Sequence, residues 1–359
     1  MNYICFPFLT LLMSAIKFRP VAVDLDGTLI CTDLLVESIS QFLIQNPFEF
    51  FKPLLWLLRG KTVLKTELAR RVHLDVSALP YNTDVLDWLH AEKQGGRRLV
   101  LATASHRVLA EQVAQHLKLF DEVMATEGDT NLKSAAKAQA LVDRFGEGGF
   151  DYVGNDWPDL QVWAKAHTAH LVNAPDSLLR STREQSSVGQ VFNSSHASTW
   201  TALLKAIRLH QWMKNLLVFV PLMAAHQYTD TSRDELALIA FVVFSLTASS
   251  VYLLNDLVDV QDDRHHVRKR LRPFASGALN LVTGWVAWPV LLGVATVVSM
   301  LCMPALFSVS LGIYFVLTVA YSLHLKQLAV VDVLTLAALY TLRLIAGAAA
   351  IDVLSLIHI

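Results

Sequence analysis

Cysteine is scarce in this 359-residue chain: Cys5, Cys31 and Cys302 lie far apart and form no CxxC pair. Their spacing excludes a disulfide framework and a thiolate zinc site, and it fits a reducing compartment. Net charge is equally thin. Thirty Lys and Arg stand against 31 Asp and Glu, leaving −1 at neutral pH, so composition offers no field for a nucleic-acid partner. Charged residues of either sign reach only 17%, against 53% apolar, and the imbalance is uneven. Residues 17–200 mix charge and apolarity as a globular enzyme does, whereas 216–353 are dominated by long apolar runs. The opening "MNYICFPFLTLLMSAI" lacks the basic start of a signal peptide, with Lys17 and Arg19 coming after the apolar stretch instead. Residues 1–18 are therefore read as an uncertain N-terminal extension, with a mis-assigned start and a true one at Met13 favoured over a signal peptide. No internal repeat is evident.

Periodicity divides the remainder in two. Apolar runs "PVAVDLD", "RRLVLATAS" (97–105) and "FDYVGND" (150–156) read as buried strands, and "HRVLAEQVAQHL" and "KAQALVDRFG" as helices between them. A mostly helical insertion, about 33–92, separates the first two strands. The expected soluble domain is an α/β, Rossmann-like unit over 19–180, followed by a Ser-, Asn- and Gly-rich linker at 181–200. Residues 236–254 then run nineteen positions without a charge, close to the ~20 needed to cross a hydrocarbon core. Further spans are expected at 281–302, 304–323 and 328–350, with a weaker one at 211–227, making an all-α polytopic membrane domain of about five transmembrane helices over 201–353. Lys205, Arg208 and Lys214 precede the first span, Arg264, Arg268, Lys269, Arg270 and Arg272 follow the second, and Lys326 follows the fourth. The loop "HQYTDTSRDE" holds Arg233 alone. Positive charge thus marks one face as cytosolic, in the cytoplasmic (inner) membrane, together with the soluble domain.

"DLDGT" (24–28) puts two carboxylates two residues apart at a strand end, followed by a glycine turn. One such acid can attack phosphorus to give an acyl phosphate while the other moves the leaving-group proton. A bare DxD is a weak signal, but DxDGT after an apolar strand is much stronger. Over about residues 19–175 the chain resembles the haloacid dehalogenase-like (HAD) phosphatases. That resemblance implies Asp24 as nucleophile, Asp26 as general acid/base, Thr103 as a phosphoryl hydrogen-bond donor, and the 33–92 insertion as a cap. Lys137, or alternatively Lys133, would neutralise phosphate charge, and Asp159 would hold Mg²⁺ alongside Asp24. Where the family reads GDxxxD, this chain has Gly154–Asn155, with Asp156 one step late. An uncharged amide is a weaker magnesium partner, so metal affinity should fall unless Asp156 substitutes.

"VYLLNDLVDVQDDRHHVRKRLRP" (251–273) turns from apolar to acidic to basic. Asp256, Asp259 and Asp263 stand at i, i+3 and i+7, one face of a helix, about 4–11 Å apart along its axis at roughly 1.5 Å per residue. Three carboxylates at a membrane edge repel one another, and divalent cations would relieve that. Metal-bound carboxylates would then grip a diphosphate while Arg268, Lys269, Arg270 and Arg272 offset its remaining charge. The bland alternative is a solvated loop obeying the positive-inside rule. The stretch, with "RLHQWMKNLLVFVP" (208–221), "KRLRPFASG" (269–277) and "YSLHLKQ" (321–327), resembles the UbiA prenyltransferase superfamily over about 200–353. The resemblance implies that Asn255, Asp256, Asp259 and Asp263 carry Mg²⁺–diphosphate, that Lys214, Arg272 and Lys326 contact phosphate, and that Tyr321 orients substrate. Asp332 and Arg343, eleven residues apart in the last span, share a face and serve either the polar cavity or helix packing.

Within that superfamily the phrasing resembles the branch transferring 5-phosphoribose from phosphoribosyl diphosphate to polyprenyl phosphate. The implied partners are an isoprenoid or polyprenyl-phosphate lipid, a diphosphate-bearing donor (prenyl or 5-phosphoribosyl) and the membrane, with the phosphatase domain trimming the product. The superfamily carries more helices and a second acidic motif, so the bundle is expected to be incomplete here. "LSLIHI" (354–359) also matches a translated sequencing-library adaptor, and is read as a non-native tail. Two other readings stay open: a phosphatase anchored by inert helices, or a non-catalytic phosphate-binding module, as Asn155 would permit.

Overall fold

In the computed structural model, residues 19–127, 132–193, 198–226 and 230–352 are described. The N-terminal extension and the tail at 354–359 lie outside them. The chain folds as two units, Met1–His196 and Ala197–Ile359.

The first unit is built on strands β1 (Val21–Val23), β2 (Leu99–His106), β3 (Glu122–Thr126), β4 (Asp151–Gly154), β5 (Thr168–Val172) and β6 (Ser187–Phe192). They form one parallel sheet in the order β3-β2-β1-β4-β5-β6. Helices α1 (Leu34–Gln45), α2 (Lys52–Arg59), α3 (Lys61–Arg71) and α4 (Thr83–Gln94) lie between β1 and β2. Later connections carry α5 (Arg107–Leu117), α6 (Ala135–Phe145), α7 (Leu160–Trp163) and α8 (Asp176–Gln185). Alternation with period two sorts the strand residues between two cores. Val21, Val23, Leu99, Leu101 and Val153 face one, and Ala22, Val100, Ala102 and Tyr152 the other. A sheet covered on both faces reads as the apolar runs seen in the sequence. The linker expected at 181–200 is a correction, since β6 lies within it, paired to β5. Its alternation is hidden because an edge strand exposes Ser187, Gly189 and Gln190.

β5 also carries a buried histidine. His170 Nδ1 accepts from the Gln190 amide at 2.9 Å, and its ring lies 4.8 Å from Trp88. Burial pushes its pKa down to about 4. Between pH 6.5 and 4 the unfolded chain therefore binds a proton that the folded unit refuses. Stability is complete above that window and falls by roughly 3 kcal/mol on acidification through it. His170→Asn keeps an acceptor for Gln190 but cannot titrate. Denaturant midpoints followed by tryptophan fluorescence should lose this slope in the variant, and an unchanged slope would refute the assignment.

The second unit is helical: α9 (Thr199–Ala206), a 3-10 segment Leu209–Phe219, α10 (Val220–Ala224), α11 (Thr231–Val258), α12 (Val260–His265), α13 (Leu281–Cys302), α14 (Ala305–Leu323) and α15 (Ala329–Ala350). Among the described residues four helices, α11, α13, α14 and α15, are long and apolar enough to span a membrane. Asp230 and Asn280 cap α11 and α13 by accepting from Ser232 and Val282 amides. Most of α11 is buried and most of α13 is not, so α11 is the central helix and α13 turns most of its apolar surface outward. Val286, Val290, Val294 and Val297 make that outward stripe.

The fifth span expected at 211–227 is not a continuous α-helix. Its first half is the 3-10 segment, and Pro221, lacking an N–H, sits in the first turn of the five-residue α10. Small polar residues of α11 hold the segment in place: Trp212 Nε1 donates to Ser249 Oγ at 3.0 Å and Asn215 Nδ2 to Ser245 Oγ at 3.0 Å. On its other side it meets α15 backbone to backbone. A Cβ added to Gly347 would lie 2.2 Å from the Val218 carbonyl oxygen.

Candidate functional site

In the first unit the carboxyl end of β1 lies between β2 and β4, where connections leave toward opposite faces of the sheet. Open parallel sheets bind ligands at such a point. Asp24 and Asp26 follow β1 directly, and Gly27 (φ +73°) makes the turn between Asp26 and Thr28. A Cβ there would sit 2.3 Å from Asn155 Nδ2, so the loop after β4 packs against bare backbone. Thr28 Oγ1 donates to Asn155 Oδ1 at 3.2 Å.

Lys137, in the first turn of α6, is buried with its Nζ 2.9 Å from Asp24 Oδ1. It also donates to Tyr152 Oη at 2.8 Å. Burial opposes its charge, but Asp24, Asp159 and Asp26 more than offset that and raise its pKa. Burial lifts Asp24 to about 6, with Lys137 pulling the other way. Asp26 is lifted further, to about 7, by burial and by Asp33, while Leu34 N and Ser105 Oγ donate to its two oxygens at 2.8 and 2.6 Å. Adjacent acids with separated pKa values suit a nucleophile and a proton carrier. Thr103 is fully buried near the end of β2, and its Oγ1 accepts from the Ser105 amide. Lys133 is exposed and lies outside this cluster, so of the two expected lysines Lys137 is the one the fold brings to Asp24.

Asp159 departs from expectation. Its Oδ1 accepts from Tyr152 Oη at 2.8 Å, and Oδ2 from the Asn155 and Asp156 amides at 3.0 and 3.2 Å. Such a carboxylate orients the loop and Lys137, 3.8 Å away, rather than offering open oxygens to a metal. Asp156 lies exposed one step on, its Oδ1 capping the following turn by accepting from Trp157 N. The magnesium set expected here is left with Asp24, which does not fit a tightly held ion.

In the second unit the acidic face is split rather than shared, because α11 ends at Asp259 before α12 begins. Asp256 and Asp263 are buried and both accept from Arg272 Nη1, at 3.1 and 2.6 Å. Arg208 adds a second guanidinium at 2.6 Å from Asp256, and Lys269 lies 3.8 Å from Asp263. Asp259 belongs to another group, accepting from Asn255 Nδ2 at 3.2 Å with Lys326 Nζ at 3.4 Å. Arg270 stays exposed on the turn Lys269–Leu271. Arg208 and Arg272 thus neutralise part of the charge on Asp256 and Asp263.

Two cavities flank these acids. One, of about 310 Å³, is lined by Lys214, Asn255, Tyr321, Lys326 and Arg343 among others. The second, of about 270 Å³, has Lys205, Arg208, His210, Arg268 and Arg272 around Asp256. Arg208 borders both. Arg343 is fixed on three sides, by Asn215 Oδ1 at 2.9 Å, the Leu339 carbonyl at 2.7 Å and Tyr314 Oη at 3.1 Å. Asp332 does not join it in the cavity wall; it accepts from Tyr321 Oη at 2.8 Å and so orients that ring.

Residues 21–147 match the haloacid dehalogenase-like hydrolases, and residues 215–357 match the UbiA prenyltransferase family. The chain joins a HAD-like domain to a UbiA-family domain. With its four apolar helices it is a multi-pass membrane protein. It is 33% identical over 328 residues to "Uncharacterized protein y4nM" of Sinorhizobium fredii, covering 91% of this chain and 63% of that one. The decaprenyl-phosphate phosphoribosyltransferase of Mycolicibacterium smegmatis is 38% identical over 161 residues, 43% of this chain and 49% of its own. Nodulation protein NoeC of Azorhizobium caulinodans is 40% identical over 149 residues, 42% and 48% of the two chains. The chain thus spans between about half and 63% of the length of these relatives.

For the UbiA-family domain the donors suit magnesium in kind, since carboxylate and amide oxygens are hard ligands. Asp263 Oδ1 is buried with no hydrogen-bond donor. Among the described residues, however, no three acidic, His or Cys side chains converge on one point. The fit is to an ion held by one or two carboxylates and completed by substrate phosphate. Arg208 was missed as a site residue. Its signal was a cation directly ahead of "HQWMKN", but the left-handed backbone (φ 55°) that turns the chain there has no sequence marker in an arginine.

Proposed function

We propose that the UbiA-family domain transfers a 5-phosphoribosyl group from phosphoribosyl diphosphate to a polyprenyl phosphate, and that the HAD-like domain removes the 5-phosphate from the lipid product. The observation that carries this reading is the pair of cation-lined cavities, one with Asn255 and the other with Asp256 in its wall. The names of the M. smegmatis relative and its counterparts support the choice of substrates.

In the transferase, Arg208, Arg272, Lys214 and Lys326 stabilise the charge gathering on departing pyrophosphate. The C–O bond to the donor breaks with carbocation-like charge on the sugar carbon, and an acceptor phosphate oxygen attacks it. One or two of Asp256, Asp259 and Asp263, with Asn255 beside Asp259, would hold Mg²⁺, which when bound would neutralise diphosphate as a Lewis acid. Tyr321, held by Asp332, orients the substrate. Lys269 and Arg270 widen the basic rim, and the Lys- and Arg-rich loops keep this face cytosolic in the inner membrane.

In the phosphatase, an Asp24 oxygen attacks phosphorus, the P–O bond to ribose breaks, and Asp26 gives the leaving alkoxide its proton. Water then attacks the aspartyl phosphate, returns a proton to Asp26 and releases phosphate. Lys137 and Thr103 hold the phosphoryl oxygens.

The test uses full-length protein in nanodiscs with phosphoribosyl diphosphate and polyprenyl phosphate. Asp256→Ala should abolish transfer yet still dephosphorylate added phosphoribosyl lipid, and Asp24→Asn should do the reverse. Transfer surviving Asp256→Ala would sink the first assignment, and phosphate release surviving Asp24→Asn the second. Activity that depends on Asp24 alone would favour a phosphatase anchored by its helices, a reading supported by the Asp24–Lys137 pair.

A further inference from the structure

The segment between α1 and α3 leaves more apolar surface uncovered than a folded unit normally tolerates. Phe48 is 91% exposed, Phe50 68%, Leu54 60% and Leu58 76%, with Phe51, Leu55 and Leu57 also exposed. Scattered exposed leucines are ordinary, but seven large apolar side chains within eleven residues form a contiguous patch. The patch stands on a firm base. Pro53 and Trp56 turn inward from α2, Trp56 packing edge-on against Phe42 at 5.1 Å with Arg71 4.8 Å over its ring. Phe50, Leu54 and Leu58, at i, i+4 and i+8, point away from that base.

Three features point to one occupant. Lys52, Arg59 and Lys61 border the patch against a single acid, Glu49, which pairs with Lys52. An apolar face rimmed by cations suits a bilayer surface with anionic headgroups. The patch also belongs to a chain whose other unit spans a membrane, joined to it through residues 193–198, so lipid is present at high effective concentration. Finally, α3 follows α2 across Gly60 and carries Lys65, whose Nζ donates to the Ala104 carbonyl at 2.5 Å, between Thr103 and Ser105. Surface contact and catalytic loop are linked by one helical hairpin.

We infer that Phe48, Phe50, Phe51, Leu54 and Leu58 insert into the headgroup layer of the membrane, seating the phosphatase site for phosphate esters of membrane lipids. The consequence for substrate choice rests on the phosphatase reading above; the insertion does not.

The experiment uses full-length protein in vesicles of phosphatidylcholine and phosphatidylglycerol. An environment-sensitive NBD label is placed through Leu58→Cys, and separately through Glu147→Cys, in a Cys5→Ser/Cys31→Ser/Cys302→Ser background. The label at 58 should be blue-shifted and quenched by doxyl-labelled lipids, and the label at 147 neither. Solvent-like emission at 58 overturns the proposal. So does a blue shift without doxyl quenching, which would mean that protein, the chain's own helices or a second copy, covers the patch. In a second arm, Phe50→Ser/Leu54→Ser/Leu58→Ser should lower phosphate release from vesicle-borne phosphoribosyl lipid about tenfold. Turnover of a short soluble phosphomonoester reports that the catalytic loop is intact, and equal losses on both substrates would count against membrane seating. If the unaltered protein releases phosphate from neither, the phosphatase reading fails while the quenching result still decides insertion.

Discussion

Lys137→Met is expected to cost about 3–5 kcal/mol of stability at pH 8 and to lower phosphate release by about 10²–10³-fold. Lys137 is almost wholly enclosed, 2.9 Å from Asp24 and 3.8 Å from Asp159. Methionine keeps the volume and removes the charge, leaving two buried carboxylates with no cation between them. Asp24 already has its pKa lifted to about 6 by burial, so without Lys137 it must rise further. Above that pKa the folded unit holds an unpaired buried anion or takes up a proton the unfolded chain would not bind, and both cost stability. On acidification toward pH 5 the native state accepts the proton freely and the penalty shrinks. Denaturant midpoints at the two pH values, with phosphate release measured in parallel, check this. A loss below about 1 kcal/mol at both, with activity intact, would remove Lys137 from the site.

The second large effect concerns Arg272. Arg272→Met should destabilise the membrane unit by about 3–5 kcal/mol, since Asp263 then loses its 2.6 Å partner and retains Lys269 at 3.8 Å, while Asp256 keeps Arg208. The double variant Arg272→Met/Asp263→Asn separates folding from function. It removes the stranded anion together with its partner and should recover most of the stability, measured by thermal unfolding in detergent. It should not recover transfer, because the guanidinium proposed to meet pyrophosphate is still absent. Recovery of both would make the Arg272–Asp263 pair purely architectural.

Legibility in the sequence followed the range of the interactions involved. The span at 281–302 coincides with α13 end for end, because an uncharged, mostly apolar run between Asn280 and Met303–Pro304 leaves a helix few other boundaries. "DLDGT" disclosed Asp24 and Asp26, since a short apolar strand ending in acids and glycine is a local pattern. What escaped depends on partners distant in the chain. Asp159 looks like any free acid until Tyr152 and two loop amides take its oxygens. The acidic comb counted as one face on an unbroken helix, and the stop at Asp259 turned it into a pair and a single. The weak span at 211–227 had enough apolar residues, but Pro221 and the tie of Asn215 to Ser245 and Arg343 gave it another course.

Gly347 bears on the cavity without lining it. One turn before it on α15 stands Arg343, and one turn before Val218 stands Asn215, so the spacing that lets the guanidinium reach the amide is set where two main chains touch. A single methyl group at 347 would wedge the helices apart and stretch that bond, altering the depth of the polar floor while every charge in the protein stayed the same.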